Sequence, residues 1–133
     1  MELMQLIYTS QPFGFDNAIL NGILIDARCC NKRDDVTGAL ICRADVYLQL
    51  LEGPAAAIEA TFARIAKDDR HLSVVTLSHV QVAERLFPNW SMRDDPAHTW
   101  FWTKNDVAAG ALSRATRSDL LGVFSRLAAN PSE

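Results

Sequence analysis

The hydrophobic pattern of this chain changes period in a fixed order, and that order leaves few folds open. Residues 3–9 alternate, with Met4, Leu6 and Tyr8 on one face and Leu3, Gln5 and Ile7 on the other, as in a strand covered on both sides. A loop at 10–15 holds Pro12 and Gly14. Asp16 then caps a helix in which Ile19, Ile23 and Ala27 recur every four residues beside Leu20 and Leu24, ending near Asn31. Residues 36–42 and 46–51 read as two strands joined by the turn Arg43-Ala44-Asp45, a hairpin. Gly53-Pro54 opens a second helix with Ile58, Phe62 and Ile65 on its inner stripe and Lys67-Asp68-Asp69-Arg70 at its polar end. A fourth strand at 73–82 follows. Past Pro88 comes a short fifth strand at 89–92, with Trp90 and Met92 on one face.

Strand, helix, hairpin, helix, strand is the α+β, ferredoxin-like β-α-β-β-α-β order, in which two helices cover one face of the sheet; the fifth strand is an addition. The tail begins with Trp100-Phe101-Trp102 and then gives two Thr-x-x-Asp helix starts, Thr103 to Asp106 and Thr116 to Asp119. Two short helices fit, and the second aligns Leu120, Leu121, Phe124 and Leu127 to cover the face that the first two helices leave bare. A length of 133 residues suits one domain. Residues 1–95 are expected to form its core and residues 96–133 a helical cap within the same domain.

Charge narrows the partners. Lys and Arg number 13 against 16 Asp and Glu, a formal charge of -3, so nothing draws the chain to nucleic acid or to anionic lipid. Apolar runs are far shorter than the roughly 20 residues that span a bilayer. The start Met1-Glu2-Leu3-Met4-Gln5 lacks the basic and apolar regions of a secretion signal, so a cytoplasmic location is expected. Cys29, Cys30 and Cys42 show no metal-ligand spacing and read as reduced packing thiols; no metal is expected.

Gln49 asks for explanation, because alternation sets it between Tyr47 and Leu51 on one face of an apolar strand. A primary amide buried without partners costs about 1–3 kcal/mol, so neighbouring protein groups or a polar ligand must satisfy it. Tyr8 poses the same question with one phenol. Asn31, at a helix end, reads either as a C-terminal cap or as a ligand contact, and Trp90 and Met92 read as core residues.

Their joint spacing says more. The segments Ile7-Tyr8-Thr9-Ser10, Asn31-Lys32-Arg33-Asp34-Asp35-Val36-Thr37-Gly38-Ala39-Leu40 and Tyr47-Leu48-Gln49-Leu50-Leu51-Glu52-Gly53 resemble, in register, the BLUF family of blue-light sensors that use flavin. The resemblance continues through Ile65-Ala66-Lys67-Asp68-Asp69-Arg70-His71 and Arg85-Leu86-Phe87-Pro88-Asn89-Trp90-Ser91-Met92, covering about residues 3–93. It implies a non-covalent flavin with its ring between the first two helices, and Tyr8 with Gln49 as the photoactive pair. It further implies that Asn31 holds the carbonyl and imide edge, that Ile23 and Ile65 contact the ring faces, and that Arg64 and Asp68 lie near the rim and ribityl chain. Trp90 and Met92 match the fifth-strand pair that carries the change outward, and Met92 also counts among the cofactor contacts. Cys30 departs from the family, which often has a second polar residue there.

FAD is the family expectation, with FMN or riboflavin as alternatives, since no Gly-rich loop cradles phosphates. The roughly 40 residues after Met92 are too few for a catalytic domain. No enzyme activity is therefore expected, and output should pass to a separate effector protein of unknown identity. The Trp100-Phe101-Trp102 run is either a partner surface or homo-oligomer seam, or packing beneath the tail helices. Two rival readings stand beside this one. A small hydrolase of the acylphosphatase kind needs an arginine and an asparagine converging on a phosphate. A cofactor-free interaction module needs only that Tyr8 and Gln49 bond each other in the core.

Overall fold

The computed structural model of the chain describes residues 3–12, 17–43, 45–68, 70–88, 93–96 and 102–129. Strands β1 (Leu3–Pro12), β2 (Thr37–Arg43), β3 (Val46–Pro54), β4 (His71–Val82) and β5 (Arg93–Pro96) form one sheet in the order β4-β1-β3-β2-β5. The first four pair antiparallel, and β5 runs parallel to β2. Helices α1 (Asn17–Asp34) and α2 (Ala55–Ala66) take the two crossovers, which is the expected ferredoxin-like arrangement with one added strand.

The strictly alternating pattern of β3 divides the sheet into two covered faces. Tyr47 and Leu51 join Leu6, Tyr8, Leu24, Leu40 and Ile58 in a core under α1 and α2. Val46, Leu48 and Leu50 join Ile7, Ile41, Phe87, Leu120, Phe124 and Leu127 in a second core under the tail. Because every β3 residue from Val46 to Gly53 is buried, the strand is the spine of both. Gly38 is required where β2 meets β3, since a Cβ there would collide with the Leu50 carbonyl.

Several boundaries differ from the sequence reading. The stretch expected as a loop from Ser10 is strand up to Pro12, because β4 is long enough to pair Gln11 with Leu72 and Pro12 with His71. The register shifts in this ladder, between Ile7 and Tyr8 and between Thr9 and Gln11, are β-bulges, and Ser73 takes the left-handed φ of 56° opposite the second. Helix α1 does not end at Asn31 but continues one turn to Asp34. Asp35, with φ of 59°, then turns the chain while Val36 N donates to the Asn31 carbonyl at 2.8 Å. Asn31 is therefore inside the helix, which removes the capping role for its side chain.

The described residues of the tail form three helical segments where two were expected: α3 (Lys104–Ala108), α4 (Ala111–Arg114) and α5 (Arg117–Ala129). Both Thr-x-x-Asp boxes close as expected, Asp106 N on Thr103 Oγ1 and Asp119 N on Thr116 Oγ1, each at 3.1 Å. The added α4 is a single turn entered through Gly110 at φ 87°. The span 89–92 expected for the fifth strand, with Trp90 and Met92, lies outside the described residues, as do Trp100 and Phe101. Trp102 is half-buried against the tail-side core, and its carbonyl accepts from Arg43 Nη1 at 2.8 Å. No described helix is long and apolar enough to cross a membrane.

Candidate functional site

The β1–β3 register sets Tyr8 directly opposite Gln49, and alternation turns both side chains toward α1 and α2. Both are buried, and the Tyr8 hydroxyl donates a short hydrogen bond to Gln49 Oε1. Burial, reinforced by the charges of Asp68 and Tyr47, pushes the phenol well above its ordinary pKa of 10.0. Tyr8 is thus a neutral donor whose one proton is committed to the glutamine.

Above this pair the helices do not close on the sheet. A cavity of about 290 Å³ remains, with Tyr8, Leu40, Tyr47, Gln49 and Leu51 as its floor. Helix α1 supplies Ile23, Ala27 and Asn31 at the four-residue spacing that keeps them on one face, with Asp26 and Cys30 beside them. Helix α2 supplies Thr61, Arg64 and Ile65, and Asp68 follows at its end. The physical reason for the gap is legible in those rows. The inner line of α1 shrinks to alanine and then turns polar, while Thr61 replaces an aliphatic residue on α2, so neither helix can fill the space with hydrocarbon.

Seven residues anticipated as flavin contacts, Tyr8, Ile23, Asn31, Gln49, Arg64, Ile65 and Asp68, line this one cavity. The eighth, Met92, and its companion Trp90 lie outside the described residues. Asn31 is buried at 1% exposure and sits on the α1 wall. Arg64 is paired with Asp34 at 3.6 Å and is partly exposed at the rim. Asp68 is held below the usual carboxylate range by Arg70, whose guanidinium also reaches Asp26 of α1 at 3.1 Å.

Among the lining residues that escaped the sequence reading, His71 and Thr61 stand out. His71 receives the Ser10 hydroxyl at Nδ1, 2.8 Å away, and donates from Nε2 to the Ile65 carbonyl at 2.6 Å. A carbonyl can only accept, so the proton sits on Nε2 and the ring is fixed edge-on to Tyr8, 79° between planes. Nothing local announced this, since His71 opens an edge strand whose start was expected at residue 73. Thr61 could have been found: with Arg64, Ile65 and Asp68 it follows the three-, four- and seven-residue spacing of one helix face.

What the cavity can do chemically follows from its walls. Its lining is aliphatic at Ile23, Leu40, Leu51 and Ile65, Tyr8, Gln49 and Asn31 add a few polar groups, and the hydroxyl of Thr61 has no hydrogen-bond partner. That is the donor set for a flat, largely apolar ring with a polar rim. A phosphate fits poorly, because both lining arginines are already paired with carboxylates and two of those carboxylates line the cavity themselves.

Comparison with known proteins gives the family. The family model described as sensors of blue light using FAD, BLUF, matches residues 3–93. The chain is similar to BlrB, a BLUF protein solved in its dark state, at 27% identity and a TM-score of 0.79, with 96% of each chain covered. The photo-activated state of BlsA shares the fold at a TM-score of 0.81 and 24% identity over 98% of each chain. The photoactivated adenylate cyclase subunit beta of Euglena gracilis is 32% identical over 74 residues, 55% of this chain. The match spans 9% of that relative's length. With the family model matched across both helices and all of the first four strands, this chain belongs to the BLUF family of blue-light sensors.

Proposed function

We propose that this blue-light sensor holds one flavin non-covalently in the cavity between α1 and α2 and reads its excitation through Tyr8 and Gln49. The observation that carries the reading is the buried Tyr8–Gln49 hydrogen bond at the floor of a cavity lined by aliphatic residues and a few polar groups. Ile23 and Ile65 would contact the ring faces, Asn31 its carbonyl and imide edge, and Arg64 with Asp68 the rim and ribityl chain. FAD is the flavin we assign, because the family is described by its use. A cavity of about 290 Å³ takes the ring system and leaves the nucleotide outside, so FMN and riboflavin should bind as well.

A bound flavin supplies absorption of blue light and, once excited, an electron-accepting ring. Tyr8 is the electron donor. Having lost an electron, its phenol becomes strongly acidic, and the proton leaves along the hydrogen bond that already runs to Gln49 Oε1. The amide has an acceptor at one tip and a donor at the other. Taking that proton on oxygen while passing one from nitrogen to the electron-accepting ring, or rotating by half a turn, would exchange those tips. Gln49 would then offer a bound flavin a different hydrogen bond, which would shift its absorption to the red. Return of the electron and proton to Tyr8 restores the start with no net product. His71 holds the neighbouring wall during this exchange, since both its nitrogens are already engaged.

Output, in this reading, passes to a separate effector, with Trp90 and Met92 as the route out of the site. The cyclase named among its relatives supports an effector as the recipient. The cofactor-free reading treats the Tyr8–Gln49 bond as a finished core contact, but it leaves both the cavity and the Thr61 hydroxyl unexplained.

The test is reconstitution of the purified chain with FAD and a light-minus-dark spectrum. A yellow protein with a reversible red shift is expected, and a chain that takes up no flavin overturns the proposal. For the route outward, Met92→Ala should keep the red shift and weaken the light-induced change in hydrogen exchange of α5. An unchanged response in α5 would remove Met92 from the route.

A further inference from the structure

We propose that the Thr61 hydroxyl is a flavin-binding group, an inference that rests on the reading just given and adds a residue to it. Thr61 is 2% exposed, lines the cavity, and its Oγ1 has no hydrogen-bond partner. A threonine inside a helix ordinarily returns its hydroxyl to a carbonyl one turn back, and here it does not. A buried hydroxyl left unpaired destabilises the fold, so its retention at the wall of a cavity points to a partner that arrives from outside the chain.

The position favours a ring. Thr61 stands on the same face of α2 as Arg64 and Ile65, one turn further from the open end where Asp68 and Arg70 pair. A hydroxyl donates and accepts and rotates freely, so it can meet either a ring carbonyl or a ring N–H. An apolar ligand would leave it as orphaned as before. A trapped water is the competing partner. The two partners differ in what removal of the hydroxyl does to the empty and the loaded protein.

Thr61→Val keeps the shape and deletes only the hydroxyl; Thr61→Ser keeps the hydroxyl and deletes the methyl. The full chain of each is titrated with riboflavin and with FAD, following flavin fluorescence, and melted with and without flavin. If Thr61 binds flavin, Thr61→Val weakens both ligands by roughly tenfold while the flavin-free protein melts no lower than wild type. Thr61→Ser binds within about threefold of wild type. Thr61→Ala repeats the loss of the hydroxyl without branched bulk, so a folding defect peculiar to valine does not remove the test. Undiminished flavin affinity in the valine and alanine variants overturns the inference. So does a flavin-free Thr61→Val that melts several degrees lower at unchanged affinity, the signature of a water or protein partner. Wild type failing to bind either flavin overturns the proposed function itself, an outcome read without any variant.

Discussion

The β1–β3 ladder carries two buried polar pairs, three residues apart and on opposite faces of the sheet. On the helix side, Tyr8 faces Gln49; on the tail side, Gln5 faces Glu52. The second pair is closed in on every side. Glu52, fully buried, accepts from Gln5 Nε2 at 3.1 Å, from Leu86 N at 2.8 Å and from Phe87 N at 2.9 Å, while Gln5 Oε1 accepts from Arg117 Nη2 at 2.6 Å. Arg85, just before, ties the same loop to Thr37 and Asp35. Around this knot Phe87 and Phe124 meet edge to face, and Leu120, Val123 and Leu127 of α5 are buried with them. The first pair instead opens onto the cavity. A polar cluster whose members are engaged within the protein fixes one arrangement, whereas one that faces space can have its hydrogen bonds redistributed by a ligand. The same strand pair thus builds an anchor on one face and, in the proposed function, a switch on the other.

Breaking the switch should give the largest effect. Gln49→Leu keeps the volume and removes the amide, so the flavin-loaded variant is expected to lose the red shift altogether in a light-minus-dark spectrum, with folding retained. Tyr8→Phe should do the same. A normal shifted species in the leucine variant would assign the switch to another group.

Breaking the anchor should act on stability and spare the spectrum. Glu52→Leu leaves the backbone N–H groups of Leu86 and the buried Phe87, and the Gln5 amide, without an acceptor. Urea denaturation is expected to show a loss of about 3 kcal/mol or more. The red shift of the folded fraction should persist, and its loss would mean the two faces are one coupled network.

A smaller effect is expected at alkaline pH. Burial raises the Tyr8 pKa above the 10.0 of the free phenol. Below pH 10 folded and unfolded chains both hold the proton and the contribution is complete. As pH rises past 10 the unfolded chain releases its proton and the folded one does not, so stability falls. Melting temperatures measured across that range should drop more steeply for wild type than for Tyr8→Phe.

The smallest expected effect is Arg117→Met, which removes the outermost member of the anchor. Its Nε is buried without a partner, so losing the bond to Gln5 is partly offset, and a change of about 1 kcal/mol in the same urea experiment is expected. A loss as large as that of Glu52→Leu would place the closure of the tail at Arg117.

Much of this contrast was legible in the chain. Alternation alone sends Tyr8 and Gln49 to one side and Gln5 to the other, because successive strand side chains point oppositely. The helix starts at Thr103 and Thr116 were equally plain, since a capping box is a local device. Helix α1 was read one turn short because its end depends on Asp35 taking a left-handed conformation, which aspartate tolerates without advertising it. His71 was missed because its role comes from Ser10 and Ile65, which are remote in sequence or on another element.

The order of elements through the fourth strand, the faces of the β1 and β3 residues and the family motifs are legible in the chain, because periods of two and 3.6 residues and a specific set of motifs are local properties. It took the packed fold to set Tyr8 directly opposite Gln49, to seal Glu52 beneath the loop at 85–88, and to hold α1 and α2 far enough apart to leave a cavity with an unpaired Thr61 hydroxyl. Register and the spacing between layers are set by all the packed side chains together, and no local pattern contains them.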